Sequence, residues 1–483
     1  MPESQAPPPR SSKRPRHGHL PAPTLPDDVI VEQILTRVPA AAVIRFRAVC
    51  RAWHAALTSD HFVQAHRSLR SGAHHQPEIV FFAPRPVAGG PATTSFYTCK
   101  LKVAGQHDEP ATACELVTVE DLRASNLVLS GTRPCHGLTL LYQPSTSEYH
   151  VCNLSTGEHV ALPRCAWANR VIRYGPYVLS STGIGFDAAA GEHKVVRLYE
   201  GWDREQHCEV YGLRSGGGWW RSCAGQVPPH AAKGLDGRPP VFLDGCFYWH
   251  INTLRNFQGT EALRFSTPEP ILSLSVDTEQ FGWVPPPEER AHYSFHLAEL
   301  DGSLCVAVDL RLTFEEYELW TRPTVSGSSS GSQVSWSLRC RLSLASLPRP
   351  MRDDLGRGNR MLPLASSFGG RILLATNCNE VFSYDPDGNS VERIFAMQEF
   401  VDDLVTVKPE LLLNIALHEE SITGVRCRRS TTGGDATQLK MKLGSTTVAR
   451  RQGAAYQHRN DFRITPQLLH TLIGIAAEQY LPH

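Results

Sequence analysis

Residue types able to do acid–base, nucleophilic or metal chemistry are plentiful in this chain, with 21 histidines and 13 cysteines. Their spacing does not organise that chemistry. Gly327-Ser-Ser-Ser-Gly331 matches the nucleophile-elbow pattern, but that chemistry needs a serine on a sharp strand-to-helix turn. This serine lies in a Gly/Ser tract running from Val325 to Gln333. Gly183-Ile-Gly185 has no third glycine in register and runs into a β-type segment, so it does not read as a phosphate cradle. The close pairs His74-His75, His150/Cys152 and His207-Cys208 lack the paired spacing of a zinc finger or of two histidines on one helix face. Glu315-Glu316 and Asp402-Asp403 read as solvated carboxylates. No catalytic residue, metal ligand or cofactor is assigned, and the expectation is a non-enzymatic protein.

Aromatic residues carry more information. Trp219, Trp220, Trp249, Trp283 and Trp320 recur through the middle of the chain, where one large ring per unit suits the space between packed sheets. Trp202 sits in the polar Gly-Trp-Asp-Arg-Glu-Gln loop and is the candidate for an exposed contact with a target.

Apolar spacing sets the elements. From Leu25 to Arg67 the period is helical. Ile30, Ile34 and Val38 fall at i, i+4, i+8, with Leu35 widening the stripe. Asp27 or Asp28 can cap this first helix, and Pro39 stops it. A second helix, about Ala40 to Ala48, presents Val43, Ile44 and Arg47. A third carries Cys50, Trp53 and Leu57. A bundle of about forty residues buries too little surface to be very stable alone. Its apolar faces therefore need either the rest of the chain or a partner.

From Glu78 to about Leu417 the texture becomes short strands punctuated by Gly, Asp, Asn and Pro. Two units alternate. One is strand, Asx turn, strand: VCNLSTGEHVALP from Val151, IGFDAAAGEHKVVRLY from Ile184, LSVDTEQFGWVPPP from Leu274 and FSYDPDGNSVERIF from Phe382. The other is a Gly turn into a buried strand: HGLTLLY from His136, LDGCFYWHI from Leu243, LDGSLCVAVDL from Leu300 and FGGRILLAT from Phe368. Asn, Asp and Gly belong in such turns because they tolerate left-handed backbone. Alternation of this kind predicts a β-propeller of five or six blades. Asn252 to Pro270 and the Gly/Ser tract are expected as inter-strand loops at a binding face.

Composition bounds the partners. The chain has 483 residues, enough for a large core, and a net charge of +0. That balance speaks against nucleic acid as the main partner. No apolar run reaches the roughly 20 residues of a membrane span. Cysteines without a CxxC pair read as reduced, mostly buried residues.

The helical stretch resembles an F-box. The matching residues are Leu25, Pro26, Asp28, Ile34, Leu35, Arg37, Pro39, Arg45, Phe46, Arg47, Val49, Cys50 and Trp53. Val38 stands where Leu is usual, and Ala41 where Lys is common. The strand-rich region resembles the F-box-associated domain of plant F-box proteins. It does so through Pro134-Cys-His-Gly137, HKVVRLY, Cys208-Glu-Val-Tyr-Gly-Leu213, Trp219-Trp-Arg221, VFLDGCFYWH, ILSLSVDTEQFGWVPPP and Tyr317-Glu-Leu-Trp320.

The resemblance implies an α+β multidomain chain: a small three-helix F-box, then a mostly-β, propeller-like domain. The expected divisions are a tail over residues 1–22, disordered on its Pro-, Ser- and Arg-rich composition, the F-box over 23–70, the β domain over 78–418, and a polar tail ending in a helix over 419–483. Within that tail Val425 to Tyr456 reads as loop, and a helix opens at Thr465-Pro466. The family's role is substrate recognition in an SCF-type ubiquitin ligase. An F-box docks a Skp-type adaptor and through it a cullin, and the β domain holds a target protein. The adaptor-contact residues expected here are Leu25, Pro26, Ile30, Ile34, Leu35, Pro39, Val43, Val49, Cys50 and Trp53. Lys13-Arg14-Pro15-Arg16 has the form of a minimal import signal, giving an expectation of nucleus and/or cytoplasm. Two rival readings stand beside this one: a propeller enzyme or sugar-binding module, and an F-box scaffold or transcriptional regulator that does not promote degradation.

Overall fold

The computed structural model describes residues 29–70 and most of 77–450; its larger omissions are 1–28, 71–76, 86–92, 102–111, 121–126, 166–179, 252–270, 324–334, 402–413, 426–439 and 451–483. Leu25, Pro26, the basic 13–16 segment, Trp202, the two long loops and the helix expected at Thr465 lie outside the described residues.

The chain begins with a short helical region. Its regular helices are α1 (Ala40–Phe46), α2 (Arg51–Leu57) and α3 (Asp60–Arg70). The first expected helix differs. Ile30–Ile34 winds as a wide π turn and Leu35–Arg37 as a tight 3-10 turn. One physical reason is visible at Thr36, whose hydroxyl donates to the Glu32 carbonyl at 2.8 Å and competes with the backbone ladder. Pro39 ends this element and leads into α1 with extended backbone. Cys50 caps α2, its Sγ accepting from the Trp53 N–H at 3.4 Å.

Six antiparallel sheets follow, one per blade. Blade one holds β1 (Glu78–Arg85), β2 (Thr93–Lys100) and β3 (Thr112–Glu120). Blade two holds β4 (Val128–Leu129), β5 (Thr139–Gln143), β6 (Glu148–Asn153) and β7 (Glu158–Ala161). Blade three holds β8 (Ser180–Asp187), β9 (Glu192–Glu200), β10 (Gln206–Gly212) and β11 (Arg221–Ser222). Blade four holds β12 (Val241–Leu243), β13 (Cys246–His250), β14 (Ile271–Ser275) and β15 (Phe281–Val284). Blade five holds β16 (Phe295–Leu300), β17 (Ser303–Asp309), β18 (Glu316–Pro323) and β19 (Ser337–Ser343). Blade six holds β20 (Met361–Ser366), β21 (Ile372–Thr376), β22 (Glu380–Asp385) and β23 (Ser390–Ala396).

Three later strands return to blade one. β24 (Ile415–Leu417) pairs with β1 and takes the place that the first strand holds in each other blade. β25 (Lys440–Leu443) and β26 (Thr447–Ala449) pair with the outer edge of β3. Residues read as loop from their polarity therefore form strands, because the free edge of β3 supplies their backbone partners. The ring is closed by both ends of the propeller chain meeting in one sheet.

The Asx-Gly turns are where the repeat placed them. Asp244-Gly245 joins β12 to β13 at φ +45° and +73°, and Asp301-Gly302 joins β16 to β17 at +53° and +71°. Positive φ at both central residues is the hairpin turn that suits strand twist. Between blades, large side chains interdigitate. Phe247, Trp249 and Leu272 pack with Val196 and Leu198, and Phe81 packs with Phe395 and Leu373. Gly183 and Gly185 lie within β8, where a Cβ would come within 2.6 Å of Pro240 and Phe242 respectively, so their role is close blade packing. Trp249 is core as expected, whereas Trp219 and Trp283 are exposed. They stand on loop and outer-strand positions rather than on inner faces.

Candidate functional site

The helical region is fastened to the propeller by the segment immediately after β24, residues 418–425. Ile422 is buried in one apolar cluster with Leu35, Ala40, Val43, Leu57 and Phe62. The Ala40 N–H, an orphan donor at the start of α1, donates to Glu420 Oε1 at 2.6 Å. The other Glu420 oxygen pairs with Arg70 of α3. Arg47, at the end of α1, donates to the Leu57 and Ile422 carbonyls at 3.1 and 3.2 Å. On its other side this strap is held by blade two. The Asn153 amide donates to the Ser421 and Thr423 carbonyls, both at 2.9 Å, and the Val425 N–H donates to Glu158 at 3.0 Å. His418 pairs with Glu78 at 2.9 Å, and that contact holds the Glu78 carboxyl below its ordinary range despite burial.

This arrangement divides the expected contact residues. Leu35 and Val43 are buried in the cluster with Ile422 and hold the region together. Ile30 and Trp53 are half-buried, Trp53 meeting Phe46 edge-on with ring centroids 5.9 Å apart. Ile34 is 44% exposed and Val49 62% exposed, and Pro39 and Cys50 are exposed as well. Sequence spacing did not separate these sets, because it reports which residues share a helix stripe and not which stripe the strap covers.

Two cavities lie nearby. A cleft of about 710 Å³ separates the helices from blades two and three, lined in part by Arg47, His54, Arg67, Glu158, His193 and Arg214. The propeller axis holds a smaller space of about 120 Å³. Ile184 of β8, Val241 of β12, Leu297 of β16, Leu362 of β20 and Ile415 of β24 line it with Leu129 of β4. Arg133 and Glu299 form an ion pair at 3.1 Å, and both reach this space.

A family model of the F-box domain matches residues 23–64, and one of the F-box associated beta propeller domain matches residues 99–326. A putative F-box/kelch-repeat protein of Arabidopsis thaliana is 22% identical over 58% of this chain. A second Arabidopsis F-box protein is 24% identical over 59%. The chain is a plant F-box protein with an F-box-associated β-propeller. The alignments span 64% and 63% of those two relatives' own lengths. Among solved structures, the β-propeller domain of Cps50 (Swd1) from Myceliophteria thermophila aligns with a TM-score of 0.33 and 11% identity, over 65% of this F-box protein and 85% of that domain.

Proposed function

We propose that this F-box protein is the non-catalytic substrate-recognition subunit of an SCF-type cullin ubiquitin ligase. Its helical region docks a Skp-type adaptor, and its propeller holds the target protein. The observation that carries the reading is the exposure of Ile34 and Val49 in a region whose own core is already filled by Leu35, Val43 and Ile422. Both lie within the F-box match over residues 23–64, so they are apolar side chains left available to the partner that such a domain docks. In this reading Leu25, Pro26, Ile34, Pro39, Val49 and Cys50 touch the adaptor, with Ile30 and Trp53 at the rim. Leu35 and Val43 act by holding them in place.

The contribution to ubiquitin transfer is proximity. A target lysine held near the conjugating enzyme reacts at a raised effective concentration. The strap supports this role, because it fixes the propeller against the helices and so sets the span between adaptor and target. Trp219, 70% exposed, is a suitable anchor for the target.

The test is co-purification of the full chain with a plant Skp-type adaptor. Leu25→Ala with Pro26→Ala abolishes recovery of the adaptor while circular dichroism of the β domain is unchanged. Recovery equal to wild type removes the reading.

A further inference from the structure

We propose that Cys135, His136 and His193 form a binding site for one divalent cation of the zinc class, linking blade two to blade three beside the helical region. The three residues come from two blades. Cys135 and His136 lie in the tight turn before β5, where Cys135 and Leu138 exchange backbone hydrogen bonds at 2.8 and 3.0 Å. His193 is in β9. The Cys135 Sγ and one ring nitrogen from each histidine all lie within 4.8 Å of one another. A tetrahedral zinc set, with Zn–S about 2.3 Å and Zn–N about 2.0 Å, places such atoms about 3.5 Å apart. A small closure therefore completes it.

Observations beyond proximity point to a ligand. His136 Nδ1 is buried with no hydrogen-bond partner, a costly state for a polar atom unless something takes its lone pair. His193 Nε2 lies 3.2 Å from the Cys135 carbonyl oxygen. Donating there fixes the tautomer that leaves Nδ1 free, the second-shell pattern of metal-bound histidine. His136 also stands at the turn position, φ +50°, that Asp244 and Asp301 hold in blades four and five. A bulkier imidazole there packs on Phe186 with centroids 4.4 Å apart, and His193 meets both rings edge-on, its centroid 5.0 Å from Phe186 and 5.7 Å from His136.

Cation binding breaks the Cys135 S–H bond, forms the Sγ–metal bond and releases one proton to solvent. The charged groups facing the site are Arg67 from α3, Arg214 beside His193, and Glu419 from the strap, whose carboxylate offsets the guanidinium charge. One thiolate and two imidazoles select zinc or cobalt over magnesium or calcium. His193 also lines the 710 Å³ cleft, so water can fill a fourth position.

The test uses untagged full-length protein, reduced and stripped with chelator, and titrated with Co²⁺ alone. The expected result is a thiolate-to-cobalt charge-transfer band that saturates at one equivalent per chain. Zn²⁺ displaces it, and it is lost in Cys135→Ser and in His193→Phe, the latter keeping an aromatic ring against Phe186. Zn²⁺ raises the Tm of wild type and not of His193→Phe. No band in folded wild type overturns the proposal, as does a band of full intensity in both variants.

Discussion

His150 stands in the middle of β6 with both ring nitrogens buried and without hydrogen-bond partners. Burial lowers it to about 4. Its ordinary value is 6.5, so the unfolded chain takes up the proton first. The stabilisation from a neutral His150 is complete above pH 6.5 and is lost as pH falls toward 4. Replacing it by an apolar residue of similar size removes that loss. His150→Leu is expected to flatten the fall in unfolding free energy between pH 7 and 5, measured by urea titration, by on the order of 1–3 kcal/mol. A slope equal to wild type refutes this. Glu318 behaves in a separate window. Hydrogen bonds from Arg290 first, then Trp320 and Arg341, hold its carboxyl at about 2 despite complete burial. Its contribution is present above pH 4.5 and disappears as pH falls toward 2. Neither residue's burial was legible in the sequence, where one is a histidine two positions from Cys152 and the other a glutamate in Tyr317-Glu-Leu-Trp320. Their environments are made by neighbouring strands.

The strap is the element on which the two parts of the chain depend. Removing the Ile422 side chain beyond Cβ leaves a cavity among Leu35, Val43, Leu57 and Phe62. Ile422→Ala is expected to destabilise the helical region by about 2–5 kcal/mol, read as faster hydrogen exchange in α1–α3 with the propeller amides unchanged. Exchange equal to wild type contradicts it. Gly137→Ala attacks the same strap from the propeller side. Gly137 sits at φ +79°, and an added Cβ would collide with the Ser421 side chain. The expected effect is the same increase in α1–α3 exchange. The helices themselves were readable, since period, Pro39 and Cys50 mark them. The strap was not. Glu419-Glu-Ser-Ile-Thr-Gly424 contains one apolar residue and reads as a polar tail, yet its value lies in acceptor groups aimed at α1 and α3 and in that one isoleucine. Likewise Lys440-Met-Lys-Leu443 has too little apolar content to announce a strand, and pairing with β3 decides it.

At the scale of the molecule, six blades close around a narrow axis, and the closure joins β24 to β1. The alternating strand units and their Asx-Gly turns made the propeller legible, because each unit buries its face only against its neighbours. The closing strand was less so, being three residues long. Deleting everything after Asn414 removes it together with the strap. The expected outcome is loss of the single cooperative unfolding transition, measured by calorimetry; retention of that transition at the wild-type Tm contradicts the closure described above. Both ends of the propeller chain thus meet beside the helices, so the helical region and the propeller belong to one body. The most direct measurement is the affinity of the full chain for a plant Skp-type adaptor, compared between wild type and Ile34→Asp with Val49→Asp. These exposed positions lie outside the bundle core, so the account predicts binding weaker by about tenfold or more, at least ~1.4 kcal/mol, with Tm unchanged. Wild-type affinity in the double variant would contradict it.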